Sequence, residues 1–235
     1  MNPGAPSLAD KAYAAIKEDI LTCALDPGAV IAQPQLIERY NLGITPVREA
    51  LKRLEQEGYL TAIPRQGYRV SSLTLADVHD LYELRILLEQ QTIRLAVLRA
   101  TDDDLRDLRE KADFTYTYHD TRSYREFLRR NADFHHAIAL TTGNARLAAA
   151  VRGALEEMER IFHLGLELRD SAEEMRRDHQ ALVQALAKRD AGLAQELMTD
   201  QIARSQQRVT AMLERRLHGR SINEIPIQPL PRREA

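Results

Sequence analysis

The spacing of hydrophobic residues changes character once along this 235-residue chain, at about residues 71–76, and divides it into two differently built parts. Up to Ser72 the pattern switches quickly between helical spacing and short strand-like alternation. From Ala76 onward strand signals vanish and helical spacing continues, interrupted near Thr101, Asp120, Gly143, Asp170 and Asp190. A chain without strands buries its apolar stripes only helix against helix, so the second part is expected to be an all-α antiparallel bundle. Its helices are expected at about 76–99, 102–119, 122–141, 144–168, 171–188 and 190–217.

The first part, residues 8–73, reads as one compact unit. Ala9, Ala12, Tyr13, Ile16, Ile20 and Leu21 share a face of a helix over 8–21, which Asp26-Pro27-Gly28 then turns. Gln35 to Tyr40 suits a second short helix, followed by the turn Asn41-Leu42-Gly43. Thr45 as N-cap, Pro46 as first helical residue and Gly58 just past the end bound a third. Two β-prone runs, 59–63 and 68–71, flank Pro64-Arg65-Gln66-Gly67 and predict a hairpin with a basic tip. The expected fold class is thus mainly α: a winged helix-turn-helix with a small hairpin wing, then an all-helical domain over 76–218. A proline-punctuated tail, 219–235, is expected to be flexible.

On the third helix Val47, Ala50, Leu51 and Leu54 form one face, while Thr45, Arg48, Glu49, Lys52 and Gln56 form the other. In a major groove Arg48 would donate two hydrogen bonds to a guanine edge and Lys52 would meet phosphate, with Arg65 at the wing reaching the minor groove or backbone. The same charges would equally solvate a lone amphipathic helix, and it is the helix-turn-helix and hairpin setting that points to DNA. The net charge of −2 carries no overall basic signature, so the case rests on these positions.

The run from Ile44 to Leu60, Ile-Thr-Pro-Val-Arg-Glu-Ala-Leu-Lys-Arg-Leu-Glu-Gln-Glu-Gly-Tyr-Leu, followed by Pro64-Arg65-Gln66-Gly67-Tyr68-Arg69-Val70, resembles the GntR family winged helix. The resemblance implies a dimeric transcription regulator on palindromic double-stranded operator DNA, with Thr45, Arg48, Glu49, Lys52, Arg65 and Gly67 at the interface. Gly43-Ile44 departs from the Ser-Arg that many relatives carry, which removes a frequently used DNA-contacting arginine.

The second domain resembles the FCD-type ligand-binding domain of the FadR subgroup, through Glu83-Leu84-Arg85 with Glu89, through 134–138 with Thr142-Gly143-Asn144, and through 178–182. Many such domains hold a divalent metal (Zn, Ni or Mn) with one Asp and three His; by position these become Asn131, His135, His179 and Gln201. An amide oxygen replaces a carboxylate and Gln replaces an imidazole, so a metal held mainly by His135, His179 and Asn131 would bind weakly. The alternative is that both histidines are hydrogen-bonded core residues. Arg85 lies on the apolar stripe of Val78, Leu81, Tyr82 and Leu88, where a charge needs a partner: a carboxylate effector, or Glu89 one turn on, the more favoured of the two. The resemblance implies a small organic-acid effector in a polar pocket of Asn131, His135, His179 and Gln201, with Arg85 at its mouth. Tyr82, Arg130, His136 and His163 are the weaker candidates.

A metal-dependent enzyme is the rival reading, but no oxyanion loop or phosphate-binding glycine motif accompanies the histidines, and the winged helix would go unused. The single cysteine, Cys23, rules out an intrachain disulfide. With no membrane-spanning apolar run and no secretion signal, the expectation is a cytoplasmic homodimeric repressor, not an enzyme and not a membrane protein.

Overall fold

The computed structural model describes residues 6–166 and 168–219. They fall into two units, with the boundary in the chain between Leu73 and Thr74. The expected tail lies outside the described residues beyond Gly219.

In the first unit the order is α1 (Leu8–Leu21), β1 (Val30–Ile31), α2 (Gln33–Tyr40), α3 (Ile44–Gln56), β2 (Leu60–Ile63) and β3 (Gly67–Val70). Ser7 and Asp10 close a reciprocal capping box on α1. Gly58, at φ 80°, follows the end of α3 in the left-handed conformation that glycine adopts without strain. The core is Ile16, Ile20, Leu25, Ile31, Leu36, Val47, Leu51, Leu54, Leu60 and Val70 with Ala12 and Ala50, so each helix of the motif contributes its apolar face. Asp19, fully buried on α1, accepts from Arg39 at 2.7 Å and from the Tyr40 hydroxyl at 2.6 Å. A buried carboxylate held by both a cation and a hydroxyl fixes how α2 crosses α1.

Three local details differ from the sequence expectation. Gly43, not Thr45, caps α3, which puts Pro46 in the third helical position. The first-turn N–H groups have no intrahelical acceptor, so a proline fits anywhere in that turn, and the ladder begins with Val47 N–H to Gly43 C=O. The second helix starts at Gln33 and takes Pro34 into its first turn for the same reason. The hairpin is joined by a third strand: the sheet order is β1-β3-β2, all antiparallel, with Val30 opposite Arg69 and Ile63 opposite Gly67.

In the second unit the elements are α4 (Leu75–Arg99), α5 (Asp102–Lys111), α6 (Thr121–Thr141), α7 (Ala145–Glu157), α8 (Glu159–Leu166), α9 (Ala172–Ala187) and α10 (Ala191–Gly219). Thr74 with Asp77 and Thr101 with Asp104 form capping boxes, and Asp120 and Asn144 cap α6 and α7. Helix α10 packs along α4, α8 and α9, and α4 also packs on α6 and α7. At the end of α4, Arg189 donates to the carbonyls of Val97 at 2.9 Å and Ala100 at 2.6 Å, a cation at a helix C-terminus.

Two expected helices are shorter than their periodicity suggested. The helix expected over 102–119 stops at Lys111, because Ala112, Phe114 and Tyr116 are buried alternately with exposed neighbours. That is an extended period, which a helix cannot present to one core. The helix expected over 144–168 breaks at Met158. Its first half packs on α4 and α6, while its second half lies on α10 so closely that a Cβ at Gly165 would stand 2.9 Å from Val209 Cγ2.

Gly67 carries the tightest approach of the first unit. It sits at φ 119°, and a Cβ there would lie 2.3 Å from the Ile31 carbonyl oxygen. Gly67→Ala is expected to destabilise the winged unit by about 1–3 kcal/mol, read as a lower urea midpoint. An unchanged midpoint would show that β1 and β3 separate at no cost.

Candidate nucleic-acid interface and effector cavity

On α3 the split between faces is complete: Val47, Ala50, Leu51 and Leu54 are buried, and Thr45, Arg48, Glu49, Lys52 and Gln56 are exposed. The neighbouring Arg53 is committed to the scaffold, with its guanidinium 3.7 Å from the Tyr13 ring centre and ion pairs to Asp10 and Glu57. Arg48 and Lys52, by contrast, have no hydrogen-bond or ion-pair partner among the described residues. Two adjacent unpaired cations on the second helix of a helix-turn-helix can meet polyanionic DNA without first breaking an internal bond.

The wing adds a second basic element. Gln66 N–H bonds to the Ile63 carbonyl at 3.1 Å, with Pro64 and Arg65 between them and Arg65 held at φ 65°. Arg65 is exposed at this tip, and Arg69, on β3, is exposed as well. Sequence reasoning missed Arg69, although its place in the strand that follows the turn put it on the same hairpin. The structure gives Gly67 a packing role, since a side chain there collides with β1.

In the second unit a chain of buried polar groups crosses the helices. Arg85 Nε lies 2.5 Å from Glu89 Oε1, and the other Glu89 oxygen meets Nδ1 of His135. Burial alone would raise the Glu89 pKa, but His135 and the Arg85 guanidinium outweigh it and hold the carboxyl at about 2. His179 stacks on Phe114 at 4.9 Å, packs on Phe134 at 4.8 Å, and meets His135 edge-on at 5.6 Å between ring centres. Burial, then the charges of His135 and Arg85, push its pKa well below the usual value, so the ring is neutral. Neither of its nitrogens has a hydrogen-bond partner among the described residues.

Beside this chain is a small cavity that admits water-sized spheres over about 20 Å³, room for about one water. Its polar wall is Arg85, Asn131, Gln201, Ser205 and Arg208, and its apolar wall includes Leu128, Phe162 and Met175. The structure therefore brings Asn131, Gln201 and Arg85 together, with Arg85 buried in the wall, not placed at a mouth. His135 and His179 are buried but do not line the open space, and neither do Arg130, His136 and His163. Tyr82 backs the wall: its hydroxyl is 2.7 Å from Ser205 Oγ, and burial pushes its pKa up to about 12. Arg208 is buried and reaches Glu174 at 3.3 Å; burial lowers its pKa, the mark of a cation short of compensating charge.

Comparison with known proteins agrees with both halves. Residues 8–70 match the bacterial regulatory proteins of the gntR family, and residues 80–204 match the FCD domain. The chain belongs to the GntR family, in its FCD-containing subgroup. It is 29% identical to the HTH-type transcriptional repressor GlaR of Escherichia coli K12, covering 79% of this chain and 88% of that protein. It is 28% identical to the HTH-type transcriptional regulator YdhC of Bacillus subtilis, over 76% of this chain and 80% of that one. The fold is shared with E. coli McbR/YncC, at a TM-score of 0.63 and 23% identity over 90% of this chain and all of that one. This GntR-family chain is thus a transcription regulator and not an enzyme, and no helix among the described residues is long and apolar enough to cross a membrane.

The metal that many FCD domains hold is poorly matched by this donor set. The unpartnered nitrogens of His179 would suit a metal, but Asn131 and Gln201 offer only neutral amide oxygens. The nearby carboxylate, Glu89, is engaged by Arg85 and His135, and the Arg85 guanidinium would repel a dication. Sequence reasoning missed Ser205 and Arg208. Their signal was available: Gln201, Ser205 and Arg208 fall at i, i+4 and i+7 on one face of α10.

Because the Glu89 pKa is depressed on folding, its contribution to stability is present above about pH 4.5 and is lost as pH falls toward 2. Glu89→Gln leaves Arg85 without its buried partner and is expected to cost about 3–5 kcal/mol at neutral pH. The gap to wild type should narrow as urea titrations are repeated below pH 4.5. A gap independent of pH would mean that Glu89 acts by shape, not charge.

Proposed function

We propose that this regulator is a homodimeric repressor that binds an inverted-repeat operator and whose operator affinity is controlled by a small organic acid in the cavity between α4, α6 and α10. The observation that carries the DNA half is the pair of unpartnered cations, Arg48 and Lys52, on the outer face of α3. Thr45, Glu49 and Arg65 are exposed around them and complete the proposed contact surface, with Gly67 shaping the wing. The repressor assignment follows the name of GlaR. A DNA target is in keeping with a cytoplasmic location.

Dimerisation is supported by the outer face of α4. Asp80, Leu84, Leu87, Gln91, Arg94 and Leu98 recur there at three- and four-residue spacing, all exposed, Leu87 at 62% and Leu98 at 74%. Asp80 lies toward the start of the helix and Arg94 toward its end. A two-fold axis that sets two copies antiparallel therefore brings unlike charges together around the leucines. Two half-sites about one DNA turn apart, roughly 34 Å, double the number of base-reading side chains.

For the effector, a carboxylate would complete the charge balance of Arg208, with Ser205, Gln201 and Asn131 as hydrogen-bonding partners and Arg85 oriented by Glu89. The aromatic and aliphatic wall selects a small ligand, and the cavity must widen to admit one. Tyr82, His135 and His179 act from behind the wall, and a metal on His135, His179 and Asn131 would be a weak accessory.

Arg48→Ala should weaken operator binding by about 1–3 kcal/mol, and Lys52→Ala should weaken binding to all sequences while lowering the salt slope by about 1. Fluorescence anisotropy measures both, and wild-type affinity in Arg48→Ala contradicts the assignment of α3. An organic acid at a hundredfold its Kd should stabilise the protein by about 2.7 kcal/mol in thermal unfolding, an effect lost in Arg208→Gln. Stabilisation by zinc, nickel or manganese alone that disappears in His179→Ala would instead show a metal-centred site.

A further inference from the structure

We infer that Ile44 reads the C5-methyl group of a thymine in each operator half-site, an inference that rests on the operator-binding role of α3. Ile44 is the first residue of that helix and is 63% exposed. Its own core is complete without it: Val47, Ala50, Leu51 and Leu54 are buried, and Ile44 is not among the residues packed against them. Among the described residues of the first unit, the other exposed large hydrophobic side chain is Leu8, at the start of α1 and 57% exposed.

The position of Ile44 gives its exposure a use. It stands one turn before Arg48 on a face that is otherwise polar, with Thr45, Arg48, Glu49 and Lys52 all exposed. The N-terminal turn of the second helix is the part of a helix-turn-helix that reaches base edges. There a branched aliphatic group has one distinctive partner, the thymine methyl, since the other major-groove features are donors, acceptors or the small C5–H of cytosine. Gln33 Nε2 donates to the Ile44 carbonyl at 3.5 Å and ties this turn to α2. Four residues at about 1.5 Å rise separate Ile44 from Arg48 by about 6 Å along the helix. The thymine is therefore expected within about two base pairs of the guanine read by Arg48.

The test uses the full-length protein and the consensus duplex recovered by in-vitro selection from random DNA. Replacing each thymine in turn by deoxyuridine removes only the methyl group. One symmetric pair of replacements should weaken wild-type binding about fourfold per half-site and about fifteenfold in all, from about 0.8 kcal/mol for each CH2-sized group left in water. Ile44→Ala should bind the thymine and deoxyuridine duplexes equally, while Ile44→Val keeps part of the discrimination. Circular dichroism checks that the variants remain folded. If no thymine shows a methyl dependence that Ile44→Ala removes, while Arg48→Ala still loses affinity, the methyl contact is overturned and the role of α3 stands. If Arg48→Ala also binds as wild type, both fall together.

Discussion

A buried guanidinium governs the construction of the second domain. Arg85 is almost fully enclosed, and an isolated charge there would cost far more than a bundle of this size can spare. The Glu89 carboxylate one turn on neutralises it, and the second Glu89 oxygen then recruits His135 from α6. One ion pair thus sets the rotation of α4, the placement of α6 and the side of the cavity that carries charge. Compared with an apolar pair of the same volume the ion pair lends the domain little net stability, because both groups were well solvated before folding, although removing one partner alone is costly. What it supplies is a fixed orientation: Arg85 cannot swing away without stranding Glu89.

The cavity beside that pair shows how substitution at a few positions changes a site's chemistry within one fold. With carboxylate and imidazole at positions 131 and 201, the donors would converge on a cation. With Asn131 and Gln201 they present amides, which both donate and accept hydrogen bonds. Arg208 adds a cation in a wall where burial already disfavours its charge. In the proposed reading the balance shifts from holding a metal toward meeting an anion directly, and this is the physical basis for proposing an organic acid as the controlling ligand.

Much of the architecture was legible from the sequence because its signals were local. The change of period near residue 73, the left-handed glycine at 58 and the faces of α3 all follow from short-range rules. The errors arose where tertiary packing decides. Phe114 and Tyr116 are drawn into the core alternately, which ends α5 early, and β1 exists only through its pairing with β3. The site was partly legible for the same reason. Arg85 with Glu89 and Asn131 with His135 are pairs one turn apart. The joining of Glu89 to His135, the enclosure of His179 between Phe114 and Phe134, and the exclusion of both histidines from the cavity surface depend on how separate helices meet.

Control of operator affinity by an organic acid requires the cavity and the proposed DNA-reading helix to be thermodynamically linked. If so, each ligand must alter the other's affinity by the same factor. Isothermal titration of a stabilising carboxylate into the protein, free and saturated with operator duplex, measures one side of the cycle; operator affinity with and without the carboxylate measures the other. Equal ratios are expected, different from one by about five- to 150-fold. Carboxylate binding that is indifferent to operator, in a protein that binds both, would contradict that linkage.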